Sequence, residues 1–349
     1  MQDEIELKLQ ASPSVLRDVL GSEFVREISS GTAVNRRLVS TYFDTPHHTL
    51  RKSGVALRIR RHPDGFEQTV KAPVPGAAGL QTYRECNSRV PGNVPVVSAI
   101  GDRGIRSILT LGGRHKRLQL QFVTDIERYR QPVRFNDSDI EMALDIGRIE
   151  AANGNSEAVA ELELELLRGD AADILDLALQ LTELGDLSLG FLTKAERGYS
   201  LARPALRPPA CKADKTGLPQ DMTVSDAFGA ILGGTLEHLR ANEQPVAAGH
   251  PEGVHQARVA IRRLRAGLWA FRGLLPAEER KAFNQEFRWF QGQLSPPRDW
   301  HVFLDETVPA IRSAFPGRSA TAARLRKAAL EQRTRVTEEV SGLFEGVRY

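Results

Sequence analysis

The chain has 349 residues, 41% of them hydrophobic, 26% charged and only 6% aromatic. That is enough for two domains whose cores need no staples. A net charge of +3 gives no overall electrostatic case for nucleic acid, and few aromatic rings are available for base stacking. Cys86 and Cys211 are the two cysteines; they form no disulfide or metal-ligand pattern and fit a reducing cytoplasm. The N-terminus is charged from Asp3 onward, and no apolar run reaches the ~18 residues of a membrane span, so a cytoplasmic protein with no membrane partner is expected.

In chain order, Glu4, Glu6 and Lys8 alternate with Ile5, Leu7 and Leu9, a period of two that predicts a strand with ionisable groups on one face and aliphatic groups on the other. Ser12 and Pro13 then read as the cap and first position of a helix that stops at Gly21. Strand-like runs follow at Leu38–Asp44, Gly54–Arg61, Glu67–Ala72, Gln81–Arg89, Lys116–Tyr129, Ile140–Glu150 and Ala160–Leu167. Pro63-Asp64-Gly65, Pro91-Gly92-Asn93 and Asn153-Gly154-Asn155 supply turns for an antiparallel meander. A helix over Ala171–Leu184 lies between Asp170 as cap and Gly185 as stop. Residues 204–220, with Pro204, Pro208, Pro209 and Pro219, read as a linker.

Beyond the linker the pattern is helical. Ala257, Ile261, Leu264, Leu268, Phe271 and Leu275 form one apolar stripe, and further helices fit Val224–Asn242, Glu278–Gln293, Val302–Phe315 and Ala320–Phe344, with Pro251, Pro276, Pro296-Pro297 and Pro316 between them. The expected architecture is α+β: an N-terminal β domain over 1–203, the linker, and a helical domain over 221–349.

The charged strand faces are sorted by sign. Glu161, Glu163 and Glu165 alternate with leucines; Arg58 and Arg60 alternate with Leu57 and Ile59; Asp145 shares the parity of Glu141, Lys71 that of Thr69, and Arg128 that of Thr124. An antiparallel sheet with one wet face also alternates, but such a face mixes signs to gain cross-strand pairs. Faces lining one cavity would instead let acidic strands hold a divalent cation and basic strands hold phosphate. Mg²⁺ suits a few carboxylates completed by water and substrate oxygens.

In its motifs the first half resembles the CYTH superfamily, the triphosphate tunnel metalloenzymes. The likeness is carried by Glu4-x-Glu6-x-Lys8, by Tyr42-Phe43-Asp44-Thr45-Pro46 through Arg58-Ile59-Arg60, by Thr124-Asp125 with Arg128, by Ala143 to Gly147, by Glu161 to Leu166 and by Lys194 to Tyr199. The resemblance implies an antiparallel barrel of about eight strands with a polar lumen. It implies Glu4, Glu6, Asp145, Glu161, Glu163 and Glu165 as ligands of Mg²⁺ or Mn²⁺. Lys8, Arg58, Arg60, Lys71, Arg84, Arg128 and Lys194 would cradle a triphosphate, and Glu4, Glu6, Lys8, Lys71 and Glu165 would serve catalysis, with Glu6 or Glu165 as proton acceptor. Arg197 fits either substrate or a neighbouring carboxylate. His47 and His48 are expected at the surface, and Cys86 in strand packing.

In the helical half, His255, Arg258, Arg262, Arg265 and Arg272 fall on one side of their helix, about 110° from the apolar stripe at 3.6 residues per turn, and no acidic residue lies between Val254 and Gly273. Guanidiniums in a row suit a linear polyanion; a solvated arginine face is the bland alternative. Val254 to Arg265 resembles the first mark of CHAD domains. The second mark departs, with His301 where Asp is expected. The resemblance implies polyphosphate binding by His255, Arg258, Arg262 and Arg265 in a shortened CHAD-like domain, since Tyr349 falls near the middle of a usual CHAD length. The expected function is divalent-metal-dependent hydrolysis of inorganic triphosphate, with a cytoplasmic location that extends to polyphosphate granules. Thiamine triphosphatase, RNA 5′-triphosphatase and adenylate cyclase are enzyme alternatives on the same fold, and a non-catalytic polyphosphate binder is the other.

Overall fold

The structure, a computed structural model, describes residues 3–74, 80–111, 114–115, 117–190, 192–203, 210–213 and 217–345. It divides into two compact units, 1–206 and 207–349.

The first unit is built on strands β1 (Asp3–Gln10), β2 (Val34–Asp44), β3 (Ala56–His62), β4 (Gly65–Pro73), β5 (Gln81–Val90), β6 (Gln119–Phe135), β7 (Ser138–Ala151) and β8 (Ser156–Arg168). Around the sheet the order is β1-β5-β4-β3-β2-β6-β7-β8, and β8 pairs back onto β1, so the eight strands close into an antiparallel barrel. Closure leaves no edge strand in the ring. A short strand, Ser188–Leu189, pairs with Leu9 and Gln10 of β1, beyond the stretch of β1 that pairs with β5.

Period-two alternation decides which side chains enter the barrel. Cross-strand partners share a face, so the register Glu6↔Glu165, Lys8↔Glu163, Glu161↔Asp145, Arg128↔Asp145, Arg58↔Tyr42 and Lys71↔Glu85 puts these side chains on the lumen side together. The aliphatic partners Leu7↔Leu164 and Leu9↔Leu162 point outward. There they join a core with Leu16 and Val19 of α1 (Pro13–Leu20), Val25 of α2 (Glu23–Ile28) and Ile174, Leu177 and Leu181 of α5 (Ala171–Glu183). On β3 and β4, Leu57, Ile59 and Val70 pack outward with Leu50 of α3 (Thr49–Lys52) and Leu109 of α4 (Arg103–Leu109). The hydrophobic core therefore wraps the barrel, which frees its interior for polar groups.

One end of the interior is apolar. Tyr42, Phe122, Ile126 and Ile149 share the lumen parity and pack with Tyr199 of α6 (Lys194–Ala202). Gly198 sits where a Cβ would lie 2.3 Å from the Phe122 ring, so only glycine lets the helix approach this closely.

The second unit comprises α7 (Val224–Arg240), α8 (Glu243–Ala247), α9 (Pro251–Ala270), α10 (Ala277–Gln293), α11 (Ser295–Val302), α12 (Val308–Ala314) and α13 (Ser319–Ser341), with a π-helical turn at Phe303–Thr307. Ala257, Ile261, Leu264 and Leu268 of α9 are buried, and the first three pack with Val246, Phe290 and Leu294.

Several local expectations are corrected. Helix α6 has no counterpart among the expected helices, although Thr193-x-x-Glu196, which cap it reciprocally, is a sequence signature of a helix start. Pro296-Pro297 separates α10 from α11 from within the first turn of α11, where a missing N–H costs nothing. Pro91-Gly92-Asn93 leads into Val97–Ala99 and α4 rather than a hairpin. His48 is buried rather than superficial, its ring 6.2 Å from that of Tyr199. His47 is exposed, and Cys86 packs against the outer core.

Candidate active site

Strands β1, β7 and β8 carry the acidic wall. Asp145, Glu161 and Glu163 have carboxylate oxygens within 4.8 Å of one another, and the Asp145 and Glu161 side chains are 1% and 0% exposed. Burial of this kind demands counter-charges, and Arg128, Lys194, Lys8 and Arg197 supply them. Arg128 forks onto Asp145 at 2.6 and 2.5 Å and also reaches Glu163. Lys194, at the first turn of α6, lies 2.5 Å from both Asp145 and Glu161 and 3.1 Å from Glu163. Lys8 contacts Glu6, donates to Gln81 at 2.8 Å, and lies 3.8 Å from Glu163.

A second carboxylate group surrounds Lys71. Its ammonium is 2.8 Å from Glu4, 3.5 Å from Glu6 and 3.6 Å from Glu85, and it sits 4.4 Å from the centre of the Tyr83 ring. Glu165 is beside this group. Burial, reinforced by the carboxylates of Glu4, Glu141 and Glu6, pushes its carboxyl up to about 7. Burial likewise raises Glu4, against the pull of Lys71. Burial opposes charge on Glu163 as well, but Lys194, Arg128 and Lys8 outweigh it and hold the group well below the usual carboxylate range. The acid groups of one tunnel thus differ in protonation tendency because their counter-charges differ.

The opposite wall is basic. Arg58 lies 3.8 Å from Glu85, and Arg60 donates to the Ser40 hydroxyl at 3.0 Å rather than to a carboxylate. The neighbouring Arg58 guanidinium, together with burial, pushes Arg60 down to about 9. Two guanidiniums crowded together repel one another, and an anion placed between them would relieve that repulsion.

Of the sequence-derived residues, the structure brings Asp145, Glu161, Glu163, Lys8, Arg128 and Lys194 into one cluster and Glu4, Glu6 and Lys71 into the next, with Glu165 facing the latter. It does not place six carboxylates around one point. Arg84 is set apart: it pairs with Asp3 and Ala72 on the outer parity of β5 and is exposed. Its neighbours Tyr83 and Glu85 face the lumen instead, and sequence reasoning missed both, along with Gln81. Arg197 contacts Glu157 at 2.6 Å and Glu161 at 3.2 Å, anchoring α6 to β8.

In the helical unit, Arg258 donates to the Ser295 hydroxyl, and Arg265 donates to Asn284 and Gln291 at 2.9 and 2.7 Å. These partners are neutral, so the positive charge stays uncompensated by them. Arg262 is exposed and His255 half-buried.

The CYTH domain family matches residues 2–199, and the chain belongs to that family. Residues 230–349 match the CHAD domain. An inorganic triphosphatase of Haemophilus influenzae is 32% identical over 205 residues, covering 58% of this chain and 55% of that protein; the chain thus spans about half the length of this curated relative. Among solved structures, a candidate adenylyl cyclase from Hippeastrum with a dominant triphosphatase activity is 18% identical, covering 58% of this chain and 96% of that one at a TM-score of 0.40. The CHAD domain of Ricinus communis is 30% identical, covering 40% of this chain and 52% of that one at a TM-score of 0.29.

Proposed function

We propose that the barrel hydrolyses inorganic triphosphate to diphosphate and phosphate with the help of a divalent cation, and that the helical unit binds polyphosphate. The observation that carries the reading is the division of one lumen into a carboxylate wall and a guanidinium wall. Likeness to the inorganic triphosphatase supports the substrate.

The donor set fits a hard cation: three carboxylates gathered within 4.8 Å, all oxygen ligands of the kind Mg²⁺ or Mn²⁺ prefers. Asp145, Glu161 and Glu163 would hold it, with Glu4, Glu6 and Glu165 available for a second. A bound cation neutralises charge on phosphoryl oxygens and acidifies water. The chain's own residues do the rest. Arg58, Arg60, Arg128, Lys8, Lys71 and Lys194 neutralise and align the phosphates, the electrostatic and positional work that phosphoryl transfer needs. Water attacks the terminal phosphorus, the P–O bond to the bridging oxygen breaks, and diphosphate leaves with that oxygen. Glu165 or Glu6 accepts the proton of the attacking water. Burial of the site keeps these charges strong.

His255, Arg258, Arg262 and Arg265 give the helical unit its anion-binding row, supported by the neutral character of the partners of Arg258 and Arg265. A long polyanion bound there should dissociate steeply with salt. The reading implies a cytoplasmic site of action; among the described residues, no helix is long and apolar enough to cross a membrane.

Phosphate release from tripolyphosphate, thiamine triphosphate, ATP and 5′-triphosphorylated RNA, with and without Mg²⁺ or Mn²⁺, tests the reading. Tripolyphosphate should be cleaved fastest and only with metal. Preference for another triphosphate would reassign the substrate, and no cleavage of any would leave a binding protein.

A further inference from the structure

Lys194 occupies an unusual position for a substrate-binding lysine. Its side chain is only 12% exposed, and its ammonium lies 2.5, 2.5 and 3.1 Å from Asp145, Glu161 and Glu163, the same three carboxylates whose oxygens cluster within 4.8 Å. A divalent cation and this ammonium would compete for the same oxygens. We propose that Lys194 is a built-in counter-ion that fills the carboxylate cluster of the free protein and moves to the phosphate oxygens of the substrate when the divalent cation enters, so that cation and triphosphate bind as mutually dependent ligands. The proposal rests on the triphosphatase reading above.

The physical argument is one of displacement. Metal entering alone must push the ammonium off its carboxylates, and an unpaired buried charge is costly. Lys194 cannot retreat far, because Thr193 and Glu196 fix the start of α6 by a reciprocal cap and Arg197 ties the same turn to Glu157 and Glu161. Arg128, bonded to Asp145 and Glu163, adds to the positive charge that a bare cation meets. A triphosphate removes both obstacles by offering new oxygens to Lys194 and Arg128. Anion entering alone meets the converse difficulty, since its lysine is engaged elsewhere. Coupling between the two ligands must then be reciprocal.

The test measures Mn²⁺ affinity of the full chain by the electron paramagnetic resonance of the free ion. Titrations are run with and without a non-hydrolysable imido analogue of tripolyphosphate, corrected for Mn²⁺ held by free analogue. Wild type should bind Mn²⁺ at least tenfold more tightly when the analogue is present. K194Q and K194M should each bind Mn²⁺ alone at least tenfold more tightly than wild type, with the coupling factor reduced at least threefold. A folded K194Q or K194M that binds Mn²⁺ no more tightly than wild type overturns the proposal. So does wild-type coupling below threefold, whether or not either variant folds. If calorimetry finds no analogue binding to wild type with or without Mn²⁺, the triphosphatase reading itself falls.

Discussion

At the scale of single residues, one position in a strand separates a lumen group from a surface group. Arg60 crowds Arg58 inside the barrel, whereas Arg84 lies on the outer face. Arg60→Ala should therefore lower kcat/KM for tripolyphosphate by at least tenfold, and Arg84→Ala should leave it within about twofold. Steady-state kinetics of both variants check the parity; equal effects would contradict it. The misreading of Arg84 has a physical cause. Both faces of β5 carry polar side chains, Thr82, Arg84 and Ser88 against Tyr83, Glu85 and Asn87, so no apolar run marks which is outer. His301 gives a second residue-scale expectation. It is buried, its Nδ1 has no hydrogen-bond partner, and burial, with Arg333, Arg298 and His250 against the pull of Asp305, lowers its pKa from 6.5. The fold thus favours the neutral ring. Its contribution is fully present above pH 6.5 and is lost as pH falls below 6.5 toward the folded value. All three tryptophans, Trp269, Trp289 and Trp300, lie in the helical unit. Urea denaturation followed by their fluorescence should show stability declining below pH 6.5 in wild type and a shallower decline in His301→Asn. Parallel curves would show that another group governs the acid limb.

At the scale of elements, α6 connects packing to chemistry. Its apolar side seats Tyr199 on Phe122, ring centroids 5.3 Å apart, while its first residue brings Lys194 to the carboxylates. Phe122 is itself fully buried and stacked on Tyr42 at 4.5 Å, so its ring cannot yield to a methyl group at Gly198. Gly198→Ala should destabilise the barrel by about 1–3 kcal/mol through overpacking, read as a lower midpoint in thermal denaturation by far-ultraviolet circular dichroism. An unchanged midpoint would mean that α6 shifts without cost. The strands were legible as elements because outward leucines and inward charges alternate. The helix announced itself only through the Thr193-x-x-Glu196 capping box, because its apolar side is confined to one short segment that also holds Lys194, Glu196 and Arg197.

For the whole molecule, every side chain of the candidate active site belongs to the unit over 1–206. A chain ending at Arg203 should accordingly keep the proposed triphosphatase activity within about threefold of the full chain while losing the proposed polyphosphate binding. A folded but inactive product, by circular dichroism and phosphate release, would require the helical unit to complete the site.

Sorted strand charges, helical character in the second half and the residue types available for metal and phosphate were readable from the chain alone. These follow from local periodicity, which each segment carries alone. Tertiary structure decided what no segment encodes: that β1 pairs with both β5 and β8 to close the barrel, that Glu85 and not Arg84 faces inward, and that the carboxylates divide into two groups around Lys194 and Lys71. The physical reason is that cross-strand register sets which charges become neighbours, and register is fixed only when distant segments bury their aliphatic faces together.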